Sequence, residues 1–152
     1  MAAFILLTRL LVTVNNTMIN KQELIGQAEA TIYATTLAQA MMQEVSLKSF
    51  DQKTVSGAVK LADSLTTVGK LGKDLGEVFP NFNDLDDYKL YKRTTQNPRL
   101  GRFQTLVNVW YATSIGDSSK VPTFYKKISV TVSDSTKFAL KIPIQITNII
   151  SY

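Results

Sequence analysis

Residues 1–14 have the sequence MAAFILLTRLLVTV, which is apolar at every position except Thr8, Arg9 and Thr13. A membrane-spanning helix needs about 20 apolar residues, and this run is shorter and is interrupted by Arg9. The run also lacks the basic end and the small-residue cleavage site of a secretory signal. It is therefore predicted to begin a helix whose apolar side chains are buried between molecules, with a membrane anchor and an ordinary buried helix as the alternatives.

A second helical pattern follows from Met18 to about Lys48, with small or apolar residues recurring every three or four positions. The predicted buried stripe consists of Leu24 or Ile25, Ala28, Ile32, Thr35, Ala38, Met42 and Val45. Between the two patterns, Asn15-Asn16-Thr17 disfavours a helix interior and is predicted to be a kink, a melted turn or a second cap. A continuous helix of roughly 45 residues would span about 65–70 Å, which exceeds what so small a domain covers.

After Pro98 the apolar period changes to two, which is the period of a strand with one buried face. Amphipathic strands are predicted at residues 102–113, 124–133 and 137–149, with 88–96 as a further candidate. Ser133–Thr136 is predicted to be a hairpin turn, and Pro143 places the last strand at an edge or a bulge.

The strands need a cover for their apolar faces, and the N-terminal helix is the one element long enough to provide it. The predicted fold class is therefore α+β, with a long N-terminal helix packed on a small antiparallel β-meander of three to four strands. The predicted organisation is a helix at 1–50, an irregular connecting region at 51–98 and a sheet domain at 99–152.

Composition excludes several kinds of chemistry. The 152 residues include neither histidine nor cysteine, so histidine-based triads, thiol chemistry, disulfides and zinc sites of the usual kinds are excluded. The net charge of +5 is dispersed, and Lys126-Lys127 is the one adjacent basic pair after residue 100. These lysines are predicted to protect strand edges, and no nucleic acid is expected as a partner.

Two groups of residues are candidates for a site. The first is a polymerisation core on the N-terminal helix, formed by Phe4, Ile5, Leu6, Leu7, Arg9, Leu10, Leu11, Val12 and Val14. Arg9 has no acid within two helical turns, so it is predicted to bond carbonyl oxygens of a melted helical turn or of another subunit, or to face a wet channel. The second is Asp84, Asp86 and Asp87, whose spacing fits no EF-hand loop; a turn or cap cluster is predicted there and not a metal site.

Several stretches, taken in order, resemble prepilin-type proteins, the group that includes type IV pilins and pseudopilins. Residues 36–45, TLAQAMMQEV, followed by Lys48-Ser-Phe-Asp51, are similar to the helix end of that group. There an Ala-Gln pair precedes a Leu-Leu-Glu-Glu-like run and then Lys-x-Phe-Asp. Residues 82–88 resemble its Phe-Asp-Asp-x-Asp-Asp-Tyr segment, and residues 125–132 resemble its Lys-x-Ile-x-Val-x-Val strand.

The resemblance implies a structural subunit of an extracellular, pilin-like homopolymeric filament on a bacterial cell surface, and not an enzyme. Its expected partners are further copies of itself, the inner membrane before assembly and a pilus-type assembly machinery, with no cofactor. A minor pseudopilin of a secretion machine is one alternative. Another is a membrane-tethered module whose sheet binds a carbohydrate or a protein ligand.

Overall fold

The structure is a computed structural model that describes residues 1–136 and 139–152, without the side chain of Ala2. Its α-helices are the 45-residue α1 (Ala2–Ser46) and the single-turn α2 (Gln52–Val55). Its strands are β1 (Tyr91–Asn97), β2 (Gly101–Tyr111), β3 (Tyr125–Asp134) and β4 (Ile144–Ser151). The predicted class, a long N-terminal helix on a small antiparallel sheet, is confirmed.

The four strands form one antiparallel meander in the order β1-β2-β3-β4. The register aligns Tyr91, Val107, Val130 and Ile146 across the four strands, which gives the sheet one continuous apolar face. The candidate strand at 88–96 is confirmed as β1, so the sheet begins within the segment that was expected to be irregular. β4 starts directly after Pro143 and is an edge strand, as that proline predicts.

α1 covers the apolar face of the sheet with its C-terminal half, mainly over β3 and β4. The buried residues of the helix are Ala30, Ala34, Ala38, Met41, Met42 and Val45. The predicted stripe is therefore wrong in its first half, and Ile32 is 68% exposed. Both stripes have helical spacing and share Ala38, Met42 and Val45. They differ before Ala38, where alanines let the helix and sheet backbones approach closely, so the sheet packs on the alanine side.

Two further predictions need correction. The helix is continuous through Asn15-Asn16-Thr17, so the expected kink, melted turn or second cap is absent there. The link from β3 to β4 is longer than the tight turn predicted at Ser133–Thr136, because Asp134 accepts hydrogen bonds from the N–H groups of Thr136, Ala139 and Leu140. Ala139 and Leu140 belong to this link and are buried, and the first residues of the predicted strand at 137–149, 137 and 138, lie outside the described residues.

Candidate assembly surface

The N-terminal part of α1 projects from the domain. Met1 and residues 3–25 are exposed at every position, and the first buried residue of the helix is Ala30. We call residues 1–25 the projecting segment; at 1.5 Å per residue it is about 38 Å long. Its exposed apolar side chains include the predicted core residues Phe4, Ile5, Leu6, Leu7, Leu10, Leu11, Val12 and Val14. By length and composition, α1 is apolar enough to cross a membrane.

The threonine hydroxyls of the projecting segment are satisfied within the helix. The hydroxyls of Thr8, Thr13 and Thr17 each donate to the carbonyl oxygen four residues earlier, at 2.8–2.9 Å. Such bonds remove the need for water around a threonine on an apolar helix. Arg9 is different, since no described residue pairs with its guanidinium, and the unbroken helix offers it no melted turn.

Sequence reasoning missed part of the exposed apolar surface. Large side chains of α1 remain uncovered well beyond residue 14, namely Met18, Ile19, Leu24, Ile25 and Ile32. Ile25 and Ile32 were assigned to the core because they fit a helical spacing. The signal that separates them from the core is size: the buried positions in this half of the helix are alanines, and the bulky residues lie on the other side.

Among the described residues, three ion pairs join α1 to the sheet domain. Glu23 Oε1 accepts a bond from Lys141 Nζ at 3.0 Å, and Glu29 Oε2 lies 2.8 Å from an Arg99 nitrogen. Near the C-terminal end of the helix, Glu44 Oε1 accepts a hydrogen bond from the Tyr88 hydroxyl at 2.9 Å, and Glu44 Oε2 lies 3.9 Å from Arg93 Nη1. All three acids of the helix are thus engaged by the sheet domain, and the direction of the projecting segment is fixed relative to it.

A groove of about 1010 Å³ lies beside α1, where the projecting segment meets the sheet domain. It is lined by Ile19, Gln22, Glu23, Ile25, Gly26, Gln27 and Glu29 of the helix and by Arg99, Leu100, Ala139 and Lys141. Gly26 leaves its floor open, because a Cβ added there would meet no atom within 4 Å. Glu23 and Glu29 lie three residues before and after Gly26, so the open floor has a carboxylate on either side.

Lys126 anchors the segment that directly follows α1, and the prediction that it protects a strand edge is wrong. It lies in the inner strand β3, is 0% exposed, and donates to Phe50 O at 2.7 Å, Asp51 Oδ2 at 2.9 Å and Asp86 Oδ1 at 2.6 Å. Burial opposes ionisation of Asp51, but bonds from Lys126 and from the Lys53 N–H hold its pKa at about 2. At Asp86, burial raises the pKa of the carboxyl more than the charge of Lys126 lowers it, so the pKa of Asp86 is about 6.

Asp84 and Asp87 shape the turn that contains Asp86, one of the acids that bond Lys126. Asp84 Oδ1 accepts the N–H groups of Asp86 and Asp87, and Asp87 Oδ2 accepts those of Asn83 and Asp84. The predicted turn or cap role is therefore present. Burial, with the nearby Asp86 and Asp87 charges, raises the pKa of Asp84 to about 7. A hydrogen bond to Asp87 raises the pKa of Glu77 to about 7 in the same turn. Among the described residues, no group of three acidic side chains is arranged to hold a metal ion.

The chain was compared with known proteins at the level of families, curated sequences and solved structures. It matches no family model, and neither the curated proteins nor the solved structures give a match. The geometry of the projecting segment, the groove and the anchor is therefore the basis for a functional assignment.

Proposed function

We propose that this chain is a structural subunit of an extracellular, pilin-like homopolymeric filament, in which projecting segments bundle in the fibre core and sheet domains form the outer layer. The observation on which this rests is the projecting segment: an unbroken, apolar helix whose side chains have no cover in the described part of the chain. Burying one large aliphatic side chain contributes roughly 1.5–3 kcal/mol, so eight such residues exceed the cost of ordering and associating a subunit.

The same surface supports a stage in the membrane before assembly. α1 meets the length and composition of a membrane-crossing helix. We propose the bacterial inner membrane as the place where the subunit waits, with a pilus-type machinery that extracts it. Lipid then covers the apolar side chains that later contact other subunits, and Arg9 moves from the bilayer into the fibre.

A membrane-tethered module that never polymerises is the second candidate, and the same membrane-length helix favours it. The two differ in what finally covers the projecting segment. In the tethered module lipid remains the cover, and full-length protein stays monomeric in detergent. A minor pseudopilin shares the first mode but forms only short assemblies, which abundant long fibres would exclude.

Deleting residues 1–14 tests the proposal. This segment contacts no described part of the sheet domain, so the shortened protein is expected to fold as the full chain does and to remain a soluble monomer. Light scattering gives the mass, and negative-stain microscopy shows whether fibres form. Circular dichroism on both proteins checks that the domain is intact. Native-like fibres from the shortened protein would show that the projecting segment is not the fibre core.

A further inference from the structure

We infer that the groove beside Gly26 receives the projecting segment of a second copy of this chain, with Arg9 of that copy placed over Gly26 between Glu23 and Glu29. The inference rests on the proposed filament and specifies the contact from which it is built. It assigns a partner to a groove and to an arginine that otherwise have none among the described residues.

The occupant has to come from another molecule. α1 is one unbroken helix through residue 46, so its first turns extend away from residues 19–29 and cannot fold back on them. The groove combines apolar side chains such as Ile19, Ile25 and Leu100 with two carboxylates, each of which is already paired with a cation of the sheet domain. The first 14 residues of a second copy are apolar around a single charged side chain, that of Arg9, and can place it against the acceptor sites that these carboxylates still have. Ile5 and Val12 lie four residues before and three after Arg9, on the same helical face.

The carboxylates are placed to receive a guanidinium. Glu23 and Glu29 are six residues apart, about 9 Å along the axis, and Gly26 lies halfway between them around and along the helix. Glu23 uses Oε1 for both Lys141 and Gln27, and no described residue donates to its Oε2. Glu29 binds Arg99 with both oxygens, but a carboxylate has about four acceptor sites. The five donors of Arg9 can therefore bond both acids without displacing Lys141 or Arg99.

The contact fixes an offset between neighbours. In a polar fibre the helices run parallel, so placing residue 9 over residue 26 shifts one subunit by 17 residues, or about 25 Å, along the axis. The groove and the Arg9 face are different surfaces, so the contact is heterologous and repeats from subunit to subunit. The same offset brings Ile5 of one copy beside Gln22 of the next.

Cysteine cross-linking tests this register, since the native chain contains no cysteine. Fibres of the full-length double variant I5C/Q22C are oxidised and run on a non-reducing gel. The matched control is I5C/Q39C, in which an equally exposed glutamine on the same helix lies outside the groove. We expect a ladder of dimers, trimers and longer products from I5C/Q22C and at least a tenfold lower yield from the control. Adding R9A to I5C/Q22C is expected to remove most of the ladder.

The outcomes separate the inference from the proposed function. Fibres that form without the I5C/Q22C ladder would overturn the inference and leave the filament in place. Products that stop at the dimer would show a closed antiparallel pair, which contradicts the parallel register. Monomers without fibres in detergent or lipid vesicles would overturn the proposed function and the contact with it.

Discussion

At the scale of single residues, Lys126 joins three parts of the chain through one buried ammonium group. It bonds the segment between α1 and α2 at Phe50, the cap of α2 at Asp51 and the acidic turn at Asp86. Its ammonium also lies 4.7 Å from the centre of the Phe50 ring and 4.9 Å from that of Tyr111. An unpaired charge at such a site is prohibitively costly, so the lysine and its two acids form a unit.

Replacing Lys126 by methionine is expected to lower the free energy of unfolding by about 3–5 kcal/mol, because two buried carboxylates lose their counter-charge. Lys127→Met is the matched control: its side chain is partly exposed, bonds only Gly116 O at 3.2 Å and lies over Trp110. Urea unfolding followed by tryptophan fluorescence measures both. Equal midpoints for the two variants would contradict the anchoring role of Lys126.

The acidic turn predicts a pH dependence. The pKa of Asp84 is about 7, above its ordinary value of 3.8, so the folded protein keeps this proton to higher pH than the unfolded chain does. The contribution of Asp84 to the free energy of unfolding therefore falls as the pH rises from about 4 to about 7, and is constant above that. Asp84→Asn keeps an acceptor for the Asp86 and Asp87 N–H groups, and is expected to reduce the loss between pH 5 and pH 8 by about 2 kcal/mol.

Asp134→Asn is the control for that experiment. Hydrogen bonds from Thr136 and from the N–H groups of Ala139 and Leu140 overcome partial burial and hold the pKa of Asp134 at about 2. Its stabilising effect is present above about pH 4 and is lost only in stronger acid, so the variant's stability curve should run parallel to wild type from pH 5 to pH 8. An unchanged slope for Asp84→Asn, measured by urea unfolding at each pH, would contradict the assigned ionisation.

At the scale of elements, periodicity predicted most of the fold. The alternation predicted strands with one buried face, and β2 and β3 have such a face, on which Val107 and Val130 lie; the long helix has the expected extent. Periodicity could not choose between two helical stripes, because the choice depends on how closely the sheet approaches the helix. It also could not show that Lys126 is buried, since its partners Asp51 and Asp86 come from distant positions that only the folded chain brings together.

One part of the candidate site was also predictable from the sequence, and the other part was not. The apolar residues of the projecting segment were predictable from composition, because a run with so few charges has to be covered by something. The groove was not, since Arg99, Leu100 and Lys141 reach α1 only through the turns that flank β1, β2 and β4. The sequence pattern gave no sign that Glu23 and Glu29 lie on either side of a groove.

At the scale of the whole molecule, the projecting segment is held in a fixed direction by a continuous helix and by ion pairs at its base. Each exposed pair is worth at most about 1 kcal/mol, yet two pairs on neighbouring turns oppose rotation of the helix on the sheet. A fixed direction matters for a polymer, because a small error in the angle of each subunit accumulates along a fibre. The proposed contact at Gly26 uses the same two acids, Glu23 and Glu29. The residues that orient the helix within one subunit would therefore also set the spacing between neighbouring subunits.

Substitutions of Arg9 test the proposed contact with Glu23 and Glu29 of a neighbouring subunit in the whole fibre. If the guanidinium were merely tolerated in an apolar core, Arg9→Leu would remove a costly charge and leave fibres unchanged or more stable. If it bonds Glu23 and Glu29 of a neighbour, leucine leaves the apolar contacts but removes the one group that distinguishes the 17-residue offset from a slip of one turn. We expect Arg9→Leu to abolish fibres or to change their helical rise and twist, and Arg9→Lys, which keeps the charge without the five-donor geometry, to retain part of the assembly. Cryo-electron microscopy of the fibres gives these parameters directly, and Arg9→Leu fibres with the wild-type rise and twist would contradict a role for Arg9 in the register.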